Sequence, residues 1–180
     1  MKGIVFTEFL EMVESKFGLE TVDHIIYNSN LKSNAIYTAV GTYDYNEMTA
    51  LLISLSDKTD IAVNGLLYAY GVYFFGMLEK KHPYIFQMYK SPLDFLSAIE
   101  SHIHTHVRKI YPDAELPVFD IVNKTATGIT MIYKSERGLY MFAKALIEKT
   151  FDHYRKSSSV KYELLDSRGK MVKFELSLDE

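Results

Sequence analysis

The sequence contains no cysteine, and it has no large excess of positive or negative charge. Without cysteine the chain forms no disulfides, no thiolate metal sites and no thiol redox switch. The 20 Lys and Arg residues nearly balance the 23 Asp and Glu residues, giving a formal net charge of −3. No basic field is therefore available for a nucleic-acid backbone or an anionic membrane surface, and we expect neither as a partner.

Long hydrophobic runs are also missing. The longest apolar run lies near residues 71–78, whereas a membrane-spanning helix needs about 20 apolar residues. Lys2 and the apolar Ile4–Phe6 superficially suggest a signal peptide, but acidic residues from Glu8 onward interrupt the segment. We therefore expect a cytoplasmic protein with no membrane association.

Apolar and aromatic residues are plentiful. Hydrophobic residues make up 48% of the 180 positions, with 14 Tyr, 11 Phe and 8 Met but no Trp. A chain of this size is predicted to form one domain over residues 1–180 with a single sizeable core. An interior this aromatic either packs only on itself or surrounds a flat hydrophobic ligand.

The spacing of the apolar residues predicts an α+β fold. Steps of three and four residues predict helices over 6–17, 21–27, 46–55 and 61–78, and a further helix from Ser91 to about Tyr111. Alternation then predicts two β-hairpins, over 117–133 and 160–176, on either side of a helix over 137–154. We expect a helical N-terminal part followed by an antiparallel sheet packed on helices.

Three of the six histidines lie within residues 102–106. On a helix, His102 and His106 stand one above the other, a spacing that can bind zinc if a third ligand is present. His104 points about 160° away from both. All three border the apolar face, so the pattern equally describes partly solvated histidines at the edge of the core.

A second candidate site is the segment Tyr133-Lys134-Ser135-Glu136-Arg137. In a strand, Tyr133, Ser135 and Arg137 project from one face and bring a phenol, a hydroxyl and a guanidinium together. This set suits a planar carboxylate, which arginine binds through two parallel hydrogen bonds. An ordinary exposed strand end would show the same residues.

Together these features resemble the H-NOX family, the haem nitric oxide/oxygen-binding domain that also occurs in soluble guanylate cyclase. The resemblance extends over essentially the whole chain. It rests on Met1–Phe6, Ile103–Val107, Ile110–Pro112, Leu116–Phe119 and the Tyr133, Ser135, Arg137 signature.

The resemblance implies a haem b between a distal lobe, approximately residues 1–62, and a proximal lobe, residues 63–180. It implies His104 as the axial ligand of the iron, with His106 non-ligating and His102 without an assigned role. Tyr133, Ser135 and Arg137 are expected to hold the haem propionates, and Pro117 matches a proline that distorts the porphyrin. The other expected pocket residues are Phe9, Phe74, Phe142, Met1, Ile4, Ile103, Leu116 and Leu146.

The resemblance also bears on which gas is bound. Oxygen-binding members carry a distal tyrosine five residues after the signature arginine, a position that is Phe142 here, and the supporting distal positions fall on Phe9 and Phe74. Bound dioxygen needs a hydrogen-bond donor, whereas nitric oxide and carbon monoxide bind ferrous haem in an apolar pocket. The three phenylalanines therefore imply a nitric oxide sensor that excludes oxygen.

Family members signal by releasing the proximal histidine, and standalone bacterial members act on a separately encoded protein. The expected partner is a sensor histidine kinase, in two-component regulation, or a diguanylate cyclase/phosphodiesterase. Two other functions stay open: an enzyme, either a haem peroxidase or a zinc hydrolase using His102 and His106, and a lipid or porphyrin carrier. The resemblance implies a regulatory haem protein and not an enzyme, and the sequence has no phosphate-binding loop or nucleophile elbow that would favour catalysis.

Overall fold

The computed structural model describes residues 1–179 and confirms the α+β class. The N-terminal helices are α1 (Gly3–Phe17), α2 (Leu19–Asn28), α3 (Tyr45–Thr59), α4 (Val63–Lys81), α5 (Pro83–Gln87) and α6 (Pro92–Ser97). They are followed by a π-helical segment (Ile99–His104), α7 (Thr105–Ile110), β1 (Val118–Lys124), β2 (Gly128–Lys134), α8 (Tyr140–His153), β3 (Ser158–Leu164) and β4 (Met171–Leu178).

The four strands form one antiparallel sheet in the order β1-β2-β4-β3. Alternate side chains of β2 are buried, among them Met131 and Tyr133, and their neighbours on β4 include the fully buried Phe174. This alternation is what a strand with one face on the core requires. The sequence pattern predicted both hairpins correctly because the period of two is a local property.

Buried apolar side chains form two clusters. The first is built mainly from α1, α2, α3 and the first part of α4, and its last buried residue on α4 is Tyr70. The second joins the sheet to α5, α6 and α8 and includes Phe75 of α4. The helix α4 therefore contributes to both clusters and packs along α8. The lobe boundary after residue 62 falls just before this shared helix and stays a prediction.

The predicted helix from Ser91 to Tyr111 is wrong as a single element. It starts as expected, since the Ser91 hydroxyl caps the Asp94 amide at 3.1 Å. The chain then forms α6, the π-helical segment and α7 in turn, and the Ile103 amide donates to the Ala98 carbonyl five residues back at 3.2 Å. One inserted residue leaves apolar side chains spaced almost as in an α-helix, so periodicity does not reveal a π-turn.

The remaining helices agree with the predicted positions apart from their ends, and α5 was not predicted. Helix α5 begins at Pro83, which occupies the first helical position, where its missing amide hydrogen costs nothing. Within residues 1–179, no single helix has the length and apolar character to cross a membrane. By length and composition alone, α3 and α4 reach that limit as a pair, bent by 109°.

The start of α1 is anchored to the loop before α3. The Gly3 amide donates to the Gly41 carbonyl at 2.8 Å, and the Ile4 amide donates to the Ala39 carbonyl at 2.9 Å. A Cβ atom on Gly3 would lie 1.8 Å from the Thr38 carbonyl oxygen, so only glycine allows this approach.

We expect Gly3→Ala to lower the free energy of unfolding by about 1–3 kcal/mol, because backbone has to move to admit the methyl group. Gly76→Ala is the matched control, since a Cβ there meets nothing within 4 Å. In the middle of a helix that change should be neutral or stabilise by about 0.5–1 kcal/mol. Urea unfolding measures both, and equal midpoints for the two variants would contradict the predicted clash.

Candidate functional site

His104 ends the π-helical segment and differs from its two neighbouring histidines in being buried. Only 11% of its side chain is exposed, whereas His102 and His106 are exposed. Its Nδ1 lies 2.8 Å from Oε1 of Glu100, one turn earlier. Because a carboxylate oxygen only accepts, Nδ1 carries the hydrogen and Nε2 is left as the nitrogen available to a ligand.

Burial lowers the pKa of His104, although the nearby Glu100 carboxylate acts in the opposite direction. Burial acts this way because the charged imidazolium is poorly solvated inside a protein. The imidazole is therefore neutral at physiological pH, the form in which histidine binds a metal.

The other two histidines of the segment face different tyrosines. The Tyr89 hydroxyl lies 3.1 Å from Nδ1 of His102, and the Tyr84 hydroxyl lies 3.3 Å from Nε2 of His106. Among residues 1–179 no three metal-binding side chains come together. The pair His102 and His106 thus lacks the third ligand that the zinc hypothesis needs.

Tyr133, Ser135 and Arg137 come together, but not on one strand face as predicted. Strand β2 ends at Lys134, so Ser135 and Arg137 lie in the connection to α8. There the Arg137 amide donates to the Ser135 hydroxyl at 3.2 Å. The last residue pair between β2 and β4 is Lys134 with Met171, and one further hydrogen bond follows it, from the Ser135 amide to the Lys170 carbonyl at 2.8 Å. The chain then turns through Gly138, whose φ is +62°.

Within this group Tyr133 is buried, and burial raises its pKa, so its phenol keeps its proton. Its ring lies 5.5 Å from the ring of Phe119, the residue beside His104 in space. The signature tyrosine and the candidate axial histidine therefore adjoin the same aromatic side chain.

The guanidinium of Arg137 already holds a carboxylate. One arm donates to the Glu115 carbonyl oxygen at 2.9 Å, and the other pairs with the carboxylate of Glu115, whose side chain is 82% exposed. Tyr45 also contacts the arginine, since its hydroxyl donates to the Arg137 carbonyl at 2.7 Å and its ring lies 5.8 Å from the guanidinium. Neither Tyr45 nor Glu115 was found from the sequence.

The three predicted distal phenylalanines surround a tyrosine that the sequence analysis missed. Tyr70 lies 5.3 Å from Phe9, 5.8 Å from Phe74 and 5.1 Å from Phe142, measured between ring centroids. Phe74 and Phe142 are themselves 5.4 Å apart. Tyr70 precedes Phe74 by four residues on α4, a spacing from which its presence in this cluster could have been predicted.

The hydroxyl of Tyr70 is already engaged, because it donates to the Val5 carbonyl at 2.6 Å. Burial raises the pKa of Tyr70 well above its usual value, so the phenol stays neutral. The cluster is therefore apolar apart from one hydroxyl whose hydrogen is committed to the backbone of α1.

The other expected pocket residues are buried or partly buried. Met1 is buried, and its amine donates to the Tyr43 carbonyl at 2.7 Å. Burial lowers the pKa of that amine, and the charge of Arg137 lowers it further. Partly buried side chains make up the rest of the set: Ile4, Ile103, Leu116, Pro117 and Leu146. That these residues line a haem pocket stays a prediction.

The chemistry of this set fits a haem. His104 offers a neutral imidazole that a carboxylate holds in one orientation, which is the usual arrangement of a metal-bound histidine. The guanidinium of Arg137 pairs with the carboxylate of Glu115, and a haem propionate carries the same chemical group. Aromatic side chains near both suit a flat apolar ring.

Comparison with known proteins agrees with this reading. The family model described as haem-NO-binding matches residues 2–162. The unliganded Fe(II) H-NOX protein from K. algicida is 48% identical, with a TM-score of 0.97 over 100% of this chain and 97% of that one. The IWP-051-bound, Fe(II)CO-state H-NOX from Shewanella woodyi is 34% identical, with a TM-score of 0.83 over 98% of this chain and 94% of that one.

A more distant structure shows the same fold. The H-NOX protein from S. oneidensis in its Fe(II)NO state is 19% identical, with a TM-score of 0.90 over the full length of both chains. A comparison with curated proteins gave no match. The family match spans most of the chain and the K. algicida protein shares nearly half of its residues, so the resemblance inferred from the sequence is confirmed. This chain belongs to the haem-NO-binding, or H-NOX, family of haem-binding gas-sensor domains.

Proposed function

We propose that this chain is a nitric oxide sensor that binds haem b, with His104 as the axial ligand and Tyr133, Ser135 and Arg137 on the propionates. When bound, ferrous haem supplies an open coordination position for a diatomic gas. The observation that carries the proposal is the buried, neutral His104, whose Nδ1 is engaged with Glu100 at 2.8 Å and whose Nε2 is thereby left for a metal.

The choice of gas follows from the cluster around Tyr70. Phenylalanine rings offer no hydrogen-bond donor, and the Tyr70 hydroxyl is held by the Val5 carbonyl at 2.6 Å. Bound dioxygen carries negative charge that needs a donor, whereas nitric oxide and carbon monoxide do not. We propose that Phe9, Phe74 and Phe142 therefore exclude oxygen while allowing the other two gases to bind.

The signal in this proposal would come from His104, which would hold the haem and would be released when nitric oxide binds. A ligand shifts a conformational equilibrium only through different affinities for the two states, and a weaker attachment of His104 would supply that difference. His104 is followed directly by α7, so this helix is the first element whose position its release would affect.

The output in this proposal is regulation of a separately encoded cytoplasmic partner. As in standalone bacterial relatives, this is a sensor histidine kinase or a diguanylate cyclase/phosphodiesterase. The chain itself acts as a regulatory protein and not as an enzyme. The family membership supports the regulatory role, and the class of partner follows from the resemblance to standalone family members.

Absorption spectra of the reduced, haem-loaded protein test the gas selectivity. We expect distinct spectra with nitric oxide and with carbon monoxide, and slow oxidation without an oxy complex in air. The control is Tyr70→Phe, which removes the buried hydroxyl of the cluster and should leave the behaviour in air unchanged. A stable oxy complex in the wild type would contradict oxygen exclusion, and its loss in Tyr70→Phe would identify the Tyr70 hydroxyl as the donor.

A further inference from the structure

One carboxylate oxygen joins the candidate axial histidine to the sheet. Oε1 of Glu100 lies 2.8 Å from Nδ1 of His104 and accepts a hydrogen bond from the Phe119 amide at 3.0 Å. His104 stands in the π-helical segment, whereas Phe119 belongs to β1. The same oxygen therefore fixes the imidazole to its own helix and to a neighbouring strand.

Local structure holds Glu100 in position for this contact. It lies in the first turn of the π-helical segment, four residues before His104, so that the two side chains adjoin on one face. The Thr105 hydroxyl donates to the Glu100 carbonyl at 3.2 Å, which ties the residue through its backbone as well. With 30% of the Glu100 side chain and 11% of the His104 side chain exposed, the pair is largely shielded from water.

We propose that Glu100 is the positioning residue of His104: it holds the ring in the tautomer with Nδ1 protonated and couples the ring to strand β1. This inference rests on the haem function proposed above. A carboxylate partner of this kind orients a metal-bound histidine and raises its basicity, and removing such a partner typically weakens metal binding about 10- to 100-fold.

The contact to Phe119 extends this role beyond the histidine. Phe119 pairs with Tyr133 across β1 and β2, and their rings lie 5.5 Å apart. Glu100 thus connects His104 through Phe119 to Tyr133, the first residue of the proposed propionate group. The proposed axial ligand and the proposed propionate group are therefore linked by a short series of contacts.

The chain contains a matched control pair elsewhere. Oε1 of Glu79 on α4 lies 2.6 Å from Nδ1 of His153 on α8. This pair has the same atoms in contact as the Glu100–His104 pair and is not part of the proposed haem site. Glu79→Gln therefore removes one carboxylate charge from a histidine without disturbing His104.

The first measurement uses the haem-free protein, so that it does not depend on haem loading. Nitrogen-15 NMR at pH 8 reports which ring nitrogen of His104 carries the hydrogen. We expect Nδ1 protonation in the wild type and in Glu79→Gln, and a mixture of tautomers in Glu100→Ala. An identical His104 signal in Glu100→Ala and in the wild type would overturn the positioning role.

The second measurement uses the haem-loaded protein. It distinguishes the effect of the hydrogen bonds of Glu100 from the effect of its negative charge. We expect haem to dissociate about 10- to 100-fold faster from Glu100→Ala. Glu100→Gln keeps an oxygen that accepts from His104 and Phe119 and loses only the charge, so its haem should dissociate more slowly than that of Glu100→Ala. Its iron–histidine stretching vibration should nevertheless move to lower frequency, because the neutral amide makes the imidazole less basic.

The outcomes distinguish this inference from the proposed function. If the wild type binds no haem, the proposed function fails, and with it any role of Glu100 toward haem. If the wild type binds haem but Glu100→Ala retains it as well as Glu79→Gln does, the haem function stands and the positioning role of Glu100 is overturned. An unshifted iron–histidine vibration in Glu100→Gln would also count against it.

Discussion

Replacing His104 with glycine is expected to abolish haem binding, and added imidazole should restore it. His104 is the buried member of the histidine segment, with Nδ1 engaged by Glu100 and Nε2 available to iron. Removal of the ring takes away the proposed iron–protein bond and leaves space that free imidazole can enter. The absorption spectrum of the purified protein, with and without imidazole, measures the effect.

The neighbouring histidines provide the controls for this experiment. His102 and His106 are exposed and lie near the hydroxyls of Tyr89 and Tyr84. Their replacement by glycine should therefore leave the haem spectrum close to that of the wild type. Loss of haem from the His102 variant together with retention in the His104 variant would show that the axial ligand of the family motif corresponds to a different histidine.

Replacing Arg137 with alanine is expected to accelerate haem dissociation about ten- to a hundredfold. Arg137 is the charged member of the proposed propionate group, and a hydrogen bond to a charged group contributes about 1.5–3 kcal/mol. Since about 1.4 kcal/mol corresponds to a factor of ten, the rate should rise by one to two orders of magnitude. Transfer of haem to an excess of a haem-accepting protein measures the rate.

Lys134→Ala is the matched control for the loss of a cation from this segment. Lys134 is exposed and pairs with Asp120 at 2.6 Å on the sheet surface, so its removal should not change haem dissociation. Equal rates for the Arg137 and Lys134 variants would show that the propionates are held by other residues. If haem dissociates from Arg137→Ala as slowly as from the wild type, the main role of this arginine is its contact with Glu115.

The sequence by itself determined the fold class, the two hairpins and the family. Alternation around Met131 and the steps of three and four residues in α1 are local patterns, and each expresses the period of one element. The family motifs singled out His104 from three histidines that periodicity had left equivalent. The structure then showed His104 buried between two exposed neighbours.

Local irregularities within the elements were decided by the folded backbone. The π-turn before His104 adds one residue to a helix without changing its apolar pattern, and the end of β2 at Lys134 depends on where β4 begins. Ser135 and Arg137 therefore meet Tyr133 through a turn and not along a strand face. Periodicity describes the middle of an element, but pairing and hydrogen bonding fix where it bends or ends.

Only the tertiary structure decided the partners of the site residues. Tyr45 supports Arg137 from 92 positions away, and Tyr70 donates to the Val5 carbonyl across 65 positions. Glu100 could be paired with His104 from its spacing, but its bond to the Phe119 amide requires β1 to lie beside the π-helical segment. Such contacts depend on how separate elements pack, whereas the patterns read from the sequence are set within single helices and strands.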